Sequence, residues 1–194
     1  MVKAVFLDRD GTLIEDKPYS VNPDDIELLP GVVDGLRALG GAGYDLIVVT
    51  NQSGIARGFY DARALAVMHD RLTAMLLEAG IEIRAYYFCP HHVEGQIRRF
   101  ARSCRCRKPG PGMILRAAWD WNVDLESSWT IGNCLTDAQA ARAAGCRAMI
   151  VERGRTTDLA VSVASFAEAA RYIIDCDARD RLAMVGVPRR VRRE

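Results

Sequence analysis

Apolar residues along the chain follow two kinds of pattern, which predict strands and helices in alternation. Continuous apolar runs at residues 4–8 and 45–50 predict buried strands, because each run ends abruptly at polar residues. Between these runs, Pro30 and Gly31 open a helical pattern of apolar positions, which ends at the glycines that follow Leu39. The start of the chain therefore predicts a strand, a helix and a second strand.

The alternation continues through most of the chain. Apolar positions recur every three or four residues from Leu65 to Ala79, which predicts a helix over residues 61–80. Further strands are predicted at residues 85–88, 129–132 and 147–151, and further helices at residues 111–121 and 136–144. Buried strands that alternate with helices predict an α/β fold, in which a parallel sheet carries helices on both faces.

A sheet of this kind binds ligands at the carboxyl ends of its strands, so the polar residues found there are candidate site residues. The predicted domain covers residues 1–175. Residues 176–194 show no clear periodicity and close in an arginine-rich segment. They are expected to form a solvated C-terminal tail, to which no function is assigned.

The composition is that of one globular domain without a global charge. The chain has 194 residues, of which 49% are hydrophobic, enough to bury a core. Its 26 basic and 25 acidic residues give a formal net charge of +1, which predicts neither a nucleic-acid nor a membrane partner. The apolar start is too short for a signal peptide, and no apolar run could span a bilayer, so a cytoplasmic monomer is expected.

Six cysteines in a reducing compartment are better explained as metal ligands or core thiols than as disulfides. Cys89 and His91 are followed by Cys104 and Cys106, a CxH…CxC pattern from two short segments. Four soft ligands form a closed tetrahedral site for structural zinc, which would fix the loop at residues 89–106. The alternative is a pair of unrelated core cysteines and a surface histidine.

Two carboxylates follow the first predicted strand. Asp8 and Asp10 are two positions apart, so on an extended segment their side chains point the same way. One could attack phosphorus while the other protonates the leaving oxygen and later activates water. The alternative is a pair of aspartates that only stabilise a turn.

Further polar groups follow the second strand and precede a later helix. Thr50, Asn51, Gln52 and Ser53 supply a hydroxyl group and N–H donors suited to phosphate oxygens. Lys108 precedes a predicted helix, where its ammonium group could neutralise charge that develops on phosphorus. The alternatives are a helix cap for the first group and a surface lysine for the second.

Three of these segments resemble signatures of the haloacid dehalogenase (HAD) superfamily. Residues 8–13 (DRDGTL) resemble the first signature, residues 50–54 (TNQSG) the second, and Lys108 the third. With the cysteine motif and residues 132–137 (GNCLTD), their order is similar to the branch of heptose-bisphosphate phosphatases and histidinol-phosphatases. The resemblance covers roughly residues 3–151.

The resemblance implies a Rossmann-like HAD fold without a large cap domain, in which the zinc-bound loop covers an open crevice. It implies a magnesium-dependent phosphatase that hydrolyses D-glycero-D-manno-heptose 1,7-bisphosphate to heptose 1-phosphate through an aspartyl-phosphate intermediate. Such a reaction belongs to the synthesis of lipopolysaccharide precursors. Histidinol phosphate, or another small phosphorylated sugar or alcohol, is the alternative substrate.

The resemblance also implies roles for individual residues. Asp8 is the nucleophile and Asp10 the general acid and base, and both hold the catalytic magnesium ion, Asp10 through its backbone carbonyl. Thr50 and Lys108 are the other catalytic residues. Substrate contacts are implied for Asp16, Tyr19 and Arg107, in addition to Asn51, Gln52 and Ser53.

The chain departs from that branch at the last signature, which reads G-D-x-x-x-D in the family. Asn133 stands where the first aspartate supplies a magnesium ligand, and Asp137 keeps the second acidic position. An amide oxygen lacks a full negative charge, so magnesium affinity should fall. Cys134 stands where close relatives often carry a lysine near the substrate. We interpret Cys134 and Cys146 as core thiols, because neither belongs to a close CxxC pair.

Asn133 leaves a second class of function open, a phospho-sugar binding or regulatory protein in which catalysis is weakened. A third interpretation is that the asparagine was introduced to trap a complex. A phosphatase acting on nucleic acid is disfavoured, because the charge is balanced and only 7% of the residues are aromatic.

Overall fold

The structure is a computed structural model that describes residues 1–152 and 158–185. Within these residues, one sheet contains six strands: β1 (Ala4–Leu7), β2 (Asp45–Asn51), β3 (Ala85–Cys89), β4 (Trp129–Gly132), β5 (Arg147–Val151) and β6 (Val161–Val163). All neighbouring strands are parallel, in the order β3-β2-β1-β4-β5-β6. The prediction of a parallel α/β sheet is confirmed.

The helices of the described residues are α1 (Val32–Gly41), α2 (Gly54–Arg57), α3 (Ala62–Glu78), α4 (Gly112–Trp121), α5 (Leu135–Ala144) and α6 (Phe166–Val185). They cover both faces of the sheet, as predicted. None of these described helices has both the length and the apolar character needed to cross a bilayer.

Alternate residues of each strand face two separate hydrophobic cores. In β1, Val5 and Leu7 face the core covered by α1, α3 and α6, and Ala4 and Phe6 face the core covered by α4 and α5. Burial of each large aliphatic or aromatic side chain contributes about 1.5–3 kcal/mol of stability. The continuous apolar runs of the sequence are explained by burial on both faces.

The direction of chain progress across the sheet reverses beside β1. The chain proceeds from β1 through β2 to β3 on one side, and then crosses to β4 on the other side of β1. Leu7 lies beside Val48 in β2 and Ile131 in β4. The loops after β1, β2 and β4 therefore meet at one point, where this class of sheet opens a crevice.

Helix α6 and strand β6 were not predicted from the sequence. Phe166, Ala169, Ala170 and Ile173 of the helix are buried in the first core. The ring of Phe166 lies against Gly35 of α1, where an added Cβ would come within 2.6 Å of it. The glycine therefore permits close packing of the two helices.

Helix α6 runs from Phe166 to Val185, so the boundary predicted after residue 175 falls inside a helix. Ion pairs from Lys3 to Asp177 and from Arg147 to Asp180 connect its second half to the sheet. Alanines and arginines, which are good helix formers, continue the helix there without an apolar stripe. Residues 186–194 of the predicted tail lie outside the described residues.

Candidate active site

Two carboxylates flank the ammonium group of Lys108 at the carboxyl ends of the central strands. Asp8 follows β1, and its N–H donates to the carbonyl of Ile131 in β4 at 2.9 Å. The Nζ atom of Lys108 lies 2.5 Å from Oδ1 of Asp8 and 2.6 Å from Oδ1 of Asp137. All three charged side chains are buried. With one cation between two carboxylates, the cluster keeps an excess negative charge that favours a divalent cation.

Burial changes the ionisation of this cluster. It raises the pKa of Asp8 from 3.8 to about 7, although the neighbouring Lys108 acts in the opposite direction. For Lys108, burial alone would lower the pKa, but the two adjacent carboxylates outweigh it and the pKa is raised. Lys108 therefore stays charged at neutral pH. A divalent cation beside Asp8 would favour the ionised carboxylate, which is the nucleophilic form.

The carboxylate of Asp10 is held in place by several donors. Arg9 pairs with both of its oxygens, from Nε to Oδ1 and from Nη2 to Oδ2, each at 2.9 Å. The Nε2 atom of Gln52 donates to Oδ2 at 2.8 Å, and the hydroxyl of Thr50 lies 3.5 Å from the same oxygen. Gly11 has a φ of +72°, which lets the chain turn directly after Asp10. Asp10 thus has a fixed orientation beside Asp8.

Gln52 was predicted to bind substrate, and the structure places its side chain behind Asp10. Besides Asp10, its Nε2 atom donates to the hydroxyl of Thr50 at 2.8 Å, and its Oε1 atom accepts from the hydroxyl of Tyr60 at 2.7 Å. The ring of Tyr60 passes over Gly54, where an added Cβ would come within 2.1 Å of it. The amide of Gln52 is therefore fully engaged in supporting the carboxylate of Asp10.

Asn51 contacts the backbone of Lys108 with both ends of its amide. Its Nδ2 atom donates to the carbonyl of Lys108 at 3.1 Å, and its Oδ1 atom accepts from the N–H of Lys108 at 3.1 Å. The Nζ atom of Lys108 also donates to the carbonyl of Val49 at 3.0 Å. Asn51, predicted as a substrate contact, is thus placed to hold the lysine against β2.

A small cleft of about 140 Å³ opens over the buried charges. It contains every residue predicted to be catalytic and every residue predicted to bind magnesium. Its lining consists of Asp8, Asp10, Asp16, Thr50, Asn51, Lys108, Asn133, Cys134, Thr136 and Asp137. Cys134 is exposed here, so its interpretation as a core thiol is wrong, whereas Cys146 is buried as predicted.

A larger cleft of about 290 Å³ adjoins the small one, since Asp10, Asp16 and Asn51 line both. It is formed by the excursion of residues 14–28, whose two ends pair where the N–H of Glu15 donates to the carbonyl of Glu27 at 2.9 Å. The other lining residues are Arg9, Lys17, Pro18, Tyr19, Ser20, Gln52, Ser53, Gly54 and Tyr60. A phosphate group fits the small cleft in size, and the rest of a small molecule fits the larger one.

Asp8 and the loops beside it offer oxygen atoms that suit magnesium. The carboxylate of Asp8 and the amide of Asn133 come from the loops after β1 and β4. The Asn133 amide lies over Gly11, where an added Cβ would come within 2.1 Å of its Nδ2 atom. Among the described residues, no hydrogen bond of the following turn uses the carbonyl of Asp10. One carboxylate, one carbonyl and one amide match the hard-oxygen preference of magnesium.

The four predicted zinc ligands lie together. The ligand atoms of Cys89, His91, Cys104 and Cys106 are all within 4.8 Å of one another. The sulfur atoms are 3.2–3.5 Å apart, and Nδ1 of His91 lies 3.4 Å from Cys106 and 3.7 Å from Cys89. A tetrahedron with zinc–sulfur bonds of about 2.3 Å has edges of about 3.8 Å, so the cluster is close to the required size. The remaining histidine of the motif, His92, does not belong to the cluster.

The cluster of predicted zinc ligands is continuous with the residues predicted to be catalytic. The carbonyl of Cys89 accepts from the N–H of Gln52 at 2.8 Å, and Cys106 precedes Lys108 by two positions. Arg107, between them, points toward the zinc loop, where its Nη1 atom lies 3.4 Å from the carbonyl of His91. The loop that zinc would fix therefore also carries Lys108, which is predicted to be catalytic.

Sequence reasoning missed three supporting residues, Arg9, Tyr60 and His69. Arg9 is 2% exposed, and its Nη1 atom lies 3.1 Å from Nε2 of His69 on α3. One signal was available, since His69 stands on the apolar stripe of α3, four positions after Leu65. A polar residue at a core position usually has a polar partner. The pattern could not identify Arg9 as that partner.

A family model described as HAD-hydrolase-like matches residues 105–180 of the chain. A curated D-glycero-beta-D-manno-heptose-1,7-bisphosphate 7-phosphatase from Yersinia pestis is 40% identical over 152 residues. The aligned region covers 78% of this chain and 81% of that protein. The similarity therefore extends well beyond the short motifs.

Two solved structures have the same fold. The D,D-heptose 1,7-bisphosphate phosphatase from B. bronchiseptica, complexed with magnesium and phosphate, gives a TM-score of 0.78 at 31% identity, covering 89% of this chain and 98% of that chain. A HAD-like phosphatase from Mesorhizobium loti gives a TM-score of 0.81 at 30% identity, with coverage of 90% and 87%. Architecture and sequence point to the same group of proteins.

Proposed function

The chain belongs to the D-glycero-beta-D-manno-heptose-1,7-bisphosphate 7-phosphatase family of HAD phosphatases, and from this premise we propose that it removes the 7-phosphate of that sugar. The observation that carries the proposal is the position of Asp8, buried beside Lys108 and open to a cleft of phosphate size. The chain is a phosphoric monoester hydrolase by family.

In the first step, a carboxylate oxygen of Asp8 attacks phosphorus, and the bond from phosphorus to the sugar oxygen breaks. Asp10 gives its proton to the departing sugar oxygen, so that heptose 1-phosphate leaves as an alcohol. The phosphoryl group is then held on Asp8 as an aspartyl phosphate. Asp8 and Asp10 line the same small cleft, which supports this division of roles.

In the second step, Asp10 takes a proton from water, and the resulting nucleophile attacks phosphorus. The bond from phosphorus to Asp8 breaks, which releases inorganic phosphate and restores the carboxylate. Lys108 and Thr50 line the same cleft and supply a positive charge and a hydroxyl group for the phosphoryl oxygens. Both groups are held by buried contacts, so they need little reorganisation during the reaction.

Magnesium fits the oxygen donors of Asp8, Asp10 and Asn133, and when bound it would neutralise charge on the phosphoryl group. Zinc fits the thiolates and imidazole of the loop at residues 89–106, where all four ligand positions would be filled by the protein. Zinc would therefore fix the loop without taking part in the chemistry.

The larger cleft is assigned to the sugar. Asp16, Tyr19 and Ser53 line it and offer a carboxylate, an aromatic face and a hydroxyl group. The exposed ring of Phe59 lies 4.6 Å from the ring of Tyr19, so a second aromatic side chain packs against the one that lines the cleft. For Arg107, which points toward the zinc loop, a contact with the anomeric phosphate requires its side chain to turn.

The test is phosphate release from heptose 1,7-bisphosphate in the presence of magnesium, with the product identified by phosphorus NMR. Heptose 1-phosphate and inorganic phosphate are the expected products, and histidinol phosphate should be hydrolysed more slowly. Asp8→Asn should abolish turnover, whereas Asp34→Asn, on the exposed face of α1, should not alter it. Under single-turnover conditions, mass spectrometry should find the phosphoryl group on the peptide that contains Asp8.

Preference for histidinol phosphate would move the proposal to the alternative substrate. Turnover that appears only after Asn133→Asp would favour the phospho-sugar binding protein instead. Retained turnover in Asp8→Asn would overturn the covalent mechanism. Cytoplasmic location, a monomeric state, the absence of nucleic-acid and membrane partners, and the domain spanning residues 1–175 all stay predictions.

A further inference from the structure

Arg9 has a buried guanidinium group with partners on two sides. Toward the active site, it forms a two-pronged ion pair with Asp10. Away from the active site, its Nη1 atom lies 3.1 Å from Nε2 of His69. The arginine is 2% exposed, so it cannot turn to solvent for other partners. A carboxylate, a guanidinium and an imidazole therefore form a chain that runs from the cleft into the first core.

His69 is held in place at the far end of this chain. Its ring stacks on Tyr86 with centroids 4.5 Å apart and 20° between the planes. The hydroxyl of Thr73, one turn along α3, donates to the carbonyl of His69 at 2.8 Å and accepts from the hydroxyl of Tyr86 at 3.0 Å. Because Arg9 can only donate, Nε2 of His69 must accept, which places the imidazole proton on Nδ1. Burial and the adjacent Arg9 lower the pKa of His69 to about 3, so the ring is neutral at pH 7.

We propose that His69 is a positioning residue for the phosphatase reaction, which acts through Arg9 on the general acid and base Asp10. By accepting from Nη1, it holds the guanidinium in the plane of the Asp10 carboxylate. The inference rests on the proposed function, because the role of Asp10 as general acid and base is part of that function.

The need for such an acceptor follows from the cost of a buried donor without a partner. If His69 is replaced by an apolar residue, Nη1 of Arg9 has to find another acceptor or stay unpaired. Either outcome favours rotation of the guanidinium, which breaks the two-pronged geometry with Asp10. Proton transfer depends on the position of Asp10, so a small rotation should slow it.

Two variants of His69 distinguish the loss of its hydrogen-bond acceptor from a disturbance of core packing. His69→Leu removes the acceptor and keeps an apolar side chain, whereas His69→Gln retains an oxygen near the position of Nε2. Leu72→Val, one turn along α3 and fully buried, is the matched control for a disturbed core. We expect kcat for heptose 1,7-bisphosphate to fall about 10- to 100-fold in His69→Leu, with little change in KM, and to recover in His69→Gln.

A comparison of leaving groups identifies the affected step. A sugar alkoxide needs the proton of Asp10, whereas p-nitrophenolate leaves without it. Pre-steady-state release of the leaving group should therefore slow in His69→Leu for the heptose and stay nearly unchanged for p-nitrophenyl phosphate. A purely structural role would slow both releases in proportion to lost stability, as Leu72→Val would, and this result would overturn the inference.

Failure of the inference and failure of the proposed function give different results. If the unaltered chain hydrolyses the bisphosphate and His69→Leu does so equally well, only the positioning role is lost. If the unaltered chain is inactive, the proposed function is lost. Nitrogen NMR of His69 then decides whether Arg9 donates to its Nε2 atom. An Nδ1–H tautomer that disappears in Arg9→Met would support the contact, and any other tautomer would contradict it.

Discussion

The Nζ atom of Lys108 lies 2.5 Å from Oδ1 of Asp8, although 100 positions of sequence separate the two residues. The same ammonium group lies 2.6 Å from Asp137, which belongs to a third segment of the chain. One lysine therefore compensates two buried carboxylates, and Asn51 fixes its backbone. The buried charged cluster is assembled from segments that become neighbours only when the sheet forms.

Replacement of Lys108 by methionine should destabilise the fold as well as abolish turnover. Removal of one partner from a buried ion pair typically costs about 3–5 kcal/mol, because the remaining charge is left uncompensated. The loss should be visible in urea unfolding at pH 7.5. The loss of stability should shrink at lower pH, where the raised pKa of Asp8 leaves that carboxyl group neutral.

Lys3→Met is the matched control, since Lys3 forms a partly exposed ion pair with Asp177. Such pairs contribute about 1 kcal/mol or less. Equal losses of unfolding free energy in Lys3→Met and Lys108→Met would contradict a larger cost for the buried cluster.

Magnesium should stabilise the protein more at pH 8 than at pH 5.5. In the metal-free chain, the pKa of Asp8 is raised from 3.8 to about 7. At pH values between these two, Asp8 is protonated in the folded state and ionised in the unfolded state. The metal-free stability therefore falls as the pH rises through that window. Magnesium needs the ionised carboxylate, so its apparent affinity should fall about tenfold per pH unit below 7. Thermal unfolding at several magnesium concentrations measures this dependence, and an affinity independent of pH would contradict it.

Asn133→Asp should raise the affinity for magnesium. A full negative charge replaces a neutral amide at the position predicted to coordinate the ion, and we expect a gain of about tenfold or more. Calorimetric titration of magnesium into the magnesium-free protein measures the change in affinity without reference to activity. Asn122→Asp, at an exposed position after α4, adds the same charge elsewhere and should leave the affinity unaltered. Equal affinities in all three proteins would remove Asn133 from the magnesium site.

Loss of zinc should disorder the loop that carries Lys108. Cys104→Ser removes one of four ligands, so bound zinc, measured by elemental mass spectrometry, should fall sharply. Turnover should fall with it, because Cys106 lies two positions before Lys108, the lysine proposed to stabilise the phosphoryl group. Cys176→Ser, outside the cluster, should retain both zinc and turnover. Full zinc content in Cys104→Ser would show that the cluster binds metal in another way.

Acid should destabilise the protein through His69. Its pKa in the folded state is lowered to about 3 from 6.5, so between these values the unfolded state binds the additional proton. Stability is therefore lost as the pH falls below 6.5, by about 2 kcal/mol at pH 5 from this residue alone. Tyr86, which stacks on the ring, has a pKa that burial raises, so its hydroxyl stays neutral over this range. Urea unfolding at pH 7.5 and pH 5 should show a smaller acid loss in His69→Gln than in the unaltered chain.

His92→Gln is the comparison for the acid effect, since His92 is less buried than His69 and should make a smaller difference. An identical acid loss in the unaltered chain and in His69→Gln would show that His69 is not buried as a neutral ring.

Much of the fold could be predicted because the signals are local. The runs that became β1 and β2 are apolar throughout, since helices cover both of their faces, and the periodic stripe from Leu65 to Ala79 became α3. The first half of helix α6 carries an apolar stripe that could have predicted it, at Phe166, Ala169, Ala170 and Ile173. Its second half lacks such a stripe and is connected to the sheet by ion pairs. Ion pairs between distant segments leave no period in the sequence.

The sequence by itself determined which chemical groups this protein has and roughly where each strand ends. These groups include Asp8, the predicted zinc ligands and the asparagine at position 133. Only the tertiary structure decided what those groups contact. In the folded chain, Gln52 donates to Asp10 and Asn51 holds the backbone of Lys108. Arg9 lies buried between Asp10 and His69. The physical reason is that hydrophobic periodicity and turn chemistry act between neighbours along the chain, whereas a side chain's partners depend on which strands become adjacent.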